Sequence, residues 1–142
     1  MILNEPRIKN SVRQYLESKN WKITKMSKSR YDHGADIIAF NKKWRKSLII
    51  EAKGEGKTSK NQIKHSAFYN LFGQIISRMN KPGNSKNRAR IYAIAIPQKW
   101  EKTFKNKISK MKSGWKILKL KVFLVSEDGL VTEKPHSYFL KH

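Results

Sequence analysis

Cysteine is absent from this 142-residue chain, which excludes both a disulfide framework and zinc–thiolate sites. The four histidines, at 33, 65, 136 and 142, lack the spacing of metal-ligating pairs, which argues against a zinc hydrolase. Acidic residues are scarce: ten stand against 32 lysines and arginines, for a net charge of +22. The basic excess runs through the whole length rather than sitting in a terminal block. That distribution points to a polyanionic partner bound in a salt-dependent way, with a merely lysine-heavy surface as the plainer explanation. No apolar run approaches the roughly 20 residues of a membrane span, and residues 1–9 lack the apolar stretch of an export signal. A cytoplasmic protein that does not enter membranes is therefore expected.

What is present suits one folded domain over residues 1–142. Hydrophobic residues make up 38%, including four Trp, five Tyr and six Phe, enough for a core at this length. Ile8, Val12, Tyr15 and Leu16 recur at helical spacing and predict a helix over 5–19, with Pro6 suited to its first turn. A short strand is expected at 21–24, then strands at 36–40 and 48–53 around a polar turn, 41–46. Residues 59–79 read as a long helix with Phe68, Leu71, Phe72, Ile75, Ile76 and Met79 on one face. A surface loop (80–87) leads to an apolar strand, 90–96, closed by Pro97. A basic amphipathic helix follows at 100–111, and 117–125 with 129–132 form a final hairpin. The order implies an α/β fold with a central mixed sheet flanked by helices, αβββαβ in its first part.

With so few acids, their positions carry information. Glu51 follows Leu48-Ile49-Ile50 and precedes Ala52-Lys53; Asp36 stands in Gly34-Ala35-Asp36-Ile37-Ile38. Two further acid-x-Lys tripeptides, at Glu17 and Glu55, lack that context. Glu17 falls about 140° from the helix's apolar stripe, and Glu55 lies in a Gly-rich polar turn. If 36–40 and 47–51 form a hairpin, Phe40 pairs with Ser47 and Asp36 comes opposite Glu51, their Cβ atoms about 5 Å apart on one face. Lys53 shares that face through the two-residue strand period. Glu5 projects on the side of the Ile8–Val12–Leu16 stripe, and is either a helix N-terminal charge or a third acid of the same group.

Buried charges need partners or a metal. Two carboxylates with a main-chain carbonyl suit Mg²⁺, with Mn²⁺ as a substitute, and leave positions for water and phosphate oxygens. A nearby lysine offsets charge developing on a phosphoryl group.

These residues resemble the PD-(D/E)xK nuclease superfamily, which includes restriction endonucleases, archaeal Holliday junction resolvases and lambda-type exonucleases. Ala35 stands where that pattern has proline. The resemblance covers roughly residues 5–96 and implies a restriction-endonuclease-like core and Mg²⁺-dependent cleavage of DNA. On it, Asp36, Glu51 and the Ala52 carbonyl are metal ligands, Lys53 the catalytic lysine and Glu5 the upstream helical acid. Gln74 matches a glutamine many members carry on the following helix. Arg78 stands where the lambda-type branch has tyrosine.

Lys42, Lys43, Arg45 and Lys46 in the hairpin turn, Lys57, Lys60 and Lys64 near the start of the long helix, and Arg78 are the expected phosphate contacts. A second lysine cluster, from Lys99 to Lys112, reads equally as solvated surface. Trp44, flanked by Lys43 and Arg45, either stacks on a base or packs on the sheet. With no separate recognition element, structure-selective or weakly sequence-selective endonuclease action is expected, and symmetric cutting of a junction would call for a homodimer. The alternative is a non-catalytic nucleic-acid-binding protein, or an accessory subunit that retains the nuclease fold.

Overall fold

The first apolar stripe does form a helix, α1 (Glu5–Ser18), whose Ile8, Val12 and Leu16 are buried. The Asn4 side chain caps it by accepting from the Arg7 amide, and Pro6 occupies its first turn. The structure is a computed structural model that describes residues 2–27, 34–56, 65–79 and 89–141. After α1 come β1 (Lys22–Met26), β2 (Ile37–Asn41), β3 (Lys46–Ala52), α2 (His65–Met79) and β4 (Ala89–Pro97). A 3₁₀ turn (Gln98–Trp100), α3 (Glu101–Ile108), α4 (Lys112–Leu118), β5 (Lys121–Val125), β6 (Val131–Lys134) and a last 3₁₀ turn (His136–Leu140) complete the order.

The strands form one six-stranded sheet in sequential order. β1–β2, β2–β3 and β5–β6 are antiparallel; β3–β4 and β4–β5 are parallel, so the sheet is mixed and open. The parallel pairs require crossovers, supplied by α2 and by α3–α4. Neighbouring residues of β4 divide the core. Ala93 and Ala95 join α1 on one face, together with Ile37, Leu48, Ile50 and Phe123. Ile94 and Ile96 join α2, α3 and α4 on the other, around Phe68, Phe104, Trp115 and Phe139. β3, covered on both faces, is apolar at consecutive positions, Leu48, Ile49 and Ile50. No helix of the described residues is long and apolar enough to cross a membrane.

Two expectations need correction. Residues 117–125 are not one strand: 112–118 is helical, with Trp115 buried and its indole N–H donating to the His136 carbonyl at 2.8 Å. Lys119, at φ +52°, ends that helix in the left-handed region, and the strand begins only at Lys121. The 100–111 helix is likewise shorter, Glu101–Ile108. The expected start of the long helix, the 80–87 loop, and Lys57, Lys60 and Lys64 lie outside the described residues.

Candidate functional site

The β2–β3 hairpin has the expected register. Phe40 pairs with Ser47 and Ile37 with Ile50, so the next pair outward is Asp36 with Glu51. Ile50 and Ala52 face α1; Glu51, between them, therefore faces α2. It is only 2% exposed. Its Oε1 accepts from the Arg78 Nε of α2 at 2.7 Å, and Arg78 Nη2 donates to the Gly34 carbonyl at 2.9 Å.

Asp36 is held at the end of the hairpin. Its Oδ2 accepts from the Ala52 amide at 2.7 Å and its Oδ1 from the Ser27 hydroxyl at 3.2 Å. Ser27 in turn accepts from Lys9, whose Nζ lies 3.0 Å from the Ser27 Oγ and 3.1 Å from its carbonyl. Lys9 is a buried lysine beside the apolar stripe of α1. A fixed relay, Lys9–Ser27–Asp36, thus runs under the carboxylate pair.

Glu5 is half-buried at the first turn of α1, within electrostatic reach of Asp36, Lys53 and Lys9. What seats it there is the segment after β3. Gly54 lies so close to Asn4 and Glu5 that a Cβ would collide with their backbone. The Glu55 amide donates to the Leu3 carbonyl at 2.7 Å, and the Leu3 amide donates to Glu55 Oε1 at 3.4 Å. Lys53 continues the β3–β4 pairing through its amide, which donates to the Ala95 carbonyl at 3.0 Å. Its side chain borders a cleft of about 490 Å³ lined along α2 by Tyr69, Asn70, Gln74, Ser77 and Arg78.

The electrostatics follow from this crowding. Burial raises the Glu51 carboxyl to about 7; the neighbouring Asp36 carboxylate adds to the rise and Arg78 opposes it. Burial, and after it Asp36, push Glu5 above its usual range, against the pull of Lys53 and Lys9. Adjacent acids that resist ionising together attract a cation.

Of the expected site residues, Asp36, Glu51, Ala52, Lys53 and Glu5 come together, and Gln74 lies exposed in the cleft that Lys53 borders. Arg78, expected as a phosphate contact, pairs with Glu51. Lys42, Lys43, Trp44 and Arg45 are exposed at the far turn of the hairpin. Glu55 is no residue of a polar turn: it is buried and ion-paired with Lys99 at 2.8 Å, which takes Lys99 out of the solvated cluster. Glu17 is the surface residue expected, paired with Arg13 at 2.6 Å.

Lys9, Ser27 and Gly54 were not anticipated. The one signal for Lys9 was its i,i+4 spacing from Glu5 beside the apolar stripe. Gly54 and Ser27 depend on contacts that no local pattern announces.

Among the described residues no three His, Cys, Asp or Glu side chains are arranged to enclose one ion. The donors at hand are the Asp36 and Glu51 carboxylates and main-chain carbonyls, with Glu5 at the margin. These are hard oxygen ligands, of the kind that suit Mg²⁺ or Mn²⁺. Comparison with known proteins adds no relative: no family model, no curated protein and no solved structure matches this chain.

Proposed function

We propose that this protein is a Mg²⁺-dependent DNA endonuclease with a restriction-endonuclease-like core, structure-selective or weakly sequence-selective in action. The observation that carries the reading is the convergence of Asp36, Glu51 and Lys53 at one end of adjacent strands, with both carboxylates held in place and Glu51 raised to about 7. A net charge of +22 supports a nucleic-acid partner.

Asp36, Glu51 and the Ala52 carbonyl would hold the ion, which supplies Lewis acidity at the phosphate and a lowered pKa for bound water. Around it the chain's own groups do the positioning. Ser27 and the Ala52 amide hold Asp36 still. Glu51 would have to exchange its Arg78 partner for the ion, which would leave the guanidinium free at the edge of the same cleft. Lys53, at the border of the cleft, presents its ammonium to a phosphate oxygen as negative charge grows there. Glu5 lies within electrostatic reach of Lys53 and adds negative charge beside it.

The Glu51–Arg78 pair favours one second reading: the acids form a structural ion-pair network in a protein that binds nucleic acid without cutting it. One assay separates the two. The protein and Asp36→Ala are incubated with plasmid, linear, flap and four-way-junction DNA in Mg²⁺, Mn²⁺ or EDTA. Metal-dependent cutting that Asp36→Ala abolishes supports the nuclease, and the preferred DNA identifies its role. Equal binding by both proteins with no cutting by either leaves the binding protein.

A further inference from the structure

The far end of the same hairpin carries a second feature that the chemistry at the carboxylates does not use. Residues 42–45 turn the chain between β2 and β3, and the buried Asn41 side chain fixes the turn by accepting from the Trp44 amide at 3.2 Å. Arg45 closes it in the left-handed region, at φ +53°. The held turn points an indole outward: Trp44 is 58% exposed, whereas Trp21, Trp100 and Trp115 are at most 9% exposed. Beside it is an open hollow of about 480 Å³ bounded by Lys19 and Asn20 at the end of α1 and by Asn41, Lys42 and Lys43.

An aromatic surface of this size is costly to leave in water, and a lone exposed apolar residue is by itself ordinary. The surroundings narrow the choice of partner. Lysines ring the indole on two elements, so the occupant is a flat apolar group carried on a polyanion. A nucleobase on its phosphate backbone meets that description. Bases inside a duplex are already stacked on each other, so the base must be unpaired.

We infer that Trp44 and the Lys19–Lys42–Lys43 rim form a stacking site for an unpaired base of single-stranded nucleic acid. The site rests on the proposed nucleic-acid partner but not on the cutting chemistry. At about 3.4 Å per strand residue, the five residues of β2 plus the turn put it roughly 20 Å from Asp36. At the 3.4 Å rise of a stacked strand that is about six nucleotides, and fewer for a more extended single strand. The protein therefore grips a single-stranded stretch at a distance from the phosphate held near Lys53, which fits a substrate with a flap, tail or opened junction.

The other three tryptophans are buried and give a steady background, so the change in intrinsic fluorescence on binding reports on Trp44, and Trp44→Ala should abolish that change. A single-stranded oligonucleotide of about 12 nucleotides is titrated in EDTA, at low and moderate salt, into the protein, Trp44→Ala, Trp44→Phe and Lys42→Ser/Lys43→Ser. Quenching by the oligonucleotide is expected. Affinity should fall roughly tenfold or more in Trp44→Ala and be largely kept in Trp44→Phe. The lysine variant should have a shallower salt dependence. Asp36→Ala should quench like the parent, so loss of cutting alone leaves the stacking site standing. Oligonucleotide binding that is equally tight in Trp44→Ala overturns the site while leaving the nuclease reading intact. Emission that responds to anionic vesicles and not to oligonucleotides overturns it in favour of a membrane surface.

Discussion

Glu51 and Glu55 lie four residues apart, are both buried, and each meets a cation: Arg78 at 2.7 Å for one, Lys99 at 2.8 Å for the other. Their surroundings differ. Glu51 stands beside a second carboxylate, Asp36, with Lys53 two residues on at the border of an open cleft. Glu55 is laced to the Leu3 backbone, in a closed joint between the end of β3 and the start of α1. Two buried ion pairs in one segment thus divide into a poised group and a structural one. A buried pair is weak evidence of function by itself; the second acid, and the open cleft bordered by Lys53 and Arg78 beside it, make the difference.

The sharpest way to break this contrast is at Asp36. On the proposed nuclease reading, Asp36→Ala should lower metal-dependent cleavage by three orders of magnitude or more, because both a proposed ligand and its hold on Ala52 are lost, as read in single-turnover cleavage. Lys53→Met should lower the rate by about 10²–10³ and leave Mn²⁺ affinity nearly unchanged, as measured calorimetrically. Equal loss of both would move Lys53 from chemistry to metal binding.

Glu55→Gln should do the opposite: a loss of about 1–3 kcal/mol in denaturant unfolding with metal affinity kept. Arg78→Gln removes the cation that competes for Glu51 and should tighten Mn²⁺ binding about tenfold while lowering metal-free stability. Unchanged affinity would show that Arg78 and an ion do not share that carboxylate.

The smallest effect is in pH. Glu51 has a folded value of about 7, above its ordinary 4.5, so its contribution to stability is fully present below 4.5 and is lost as pH rises through 7. Glu5 shifts in the same direction. Metal-free stability should therefore decline over this window, and Glu51→Gln should flatten the decline. Metal affinity should rise over the same window as the competing proton leaves.

Much of the candidate site was legible because hairpin register is a local property. A four-residue turn between two runs of period two leaves one pairing that buries Ile37, Ala39, Leu48 and Ile50 together, and that pairing sets Asp36 against Glu51. The partner of Glu51 was not legible, since it depends on how α2 is rotated over the sheet. Glu55 was misread for a related reason: its burial comes from Leu3, at the opposite end of the described sequence before it. Residues 112–118 were misread because Ile117 and Leu118 run on into the apolar β5 residues, and only Lys119 in the left-handed region marks the break. Ile117, an apparent strand residue, is 78% exposed.

The joint between residues 3–5 and 53–55 also has a kinetic meaning. Leu3 and Glu55 are 52 residues apart in sequence, so the contact that seats Glu5 closes a long loop. The β2–β3 hairpin can bring Asp36 and Glu51 together early and locally, but the full constellation waits for α1 to dock across the sheet. Local opening of the first turn of α1 would then withdraw Glu5 without unfolding the sheet. Hydrogen exchange should show the Leu3 and Glu55 amides opening together, ahead of the amides of β3 and β4, so that the grouping of Glu5 with the hairpin acids is the last arrangement completed on folding and the first to come apart.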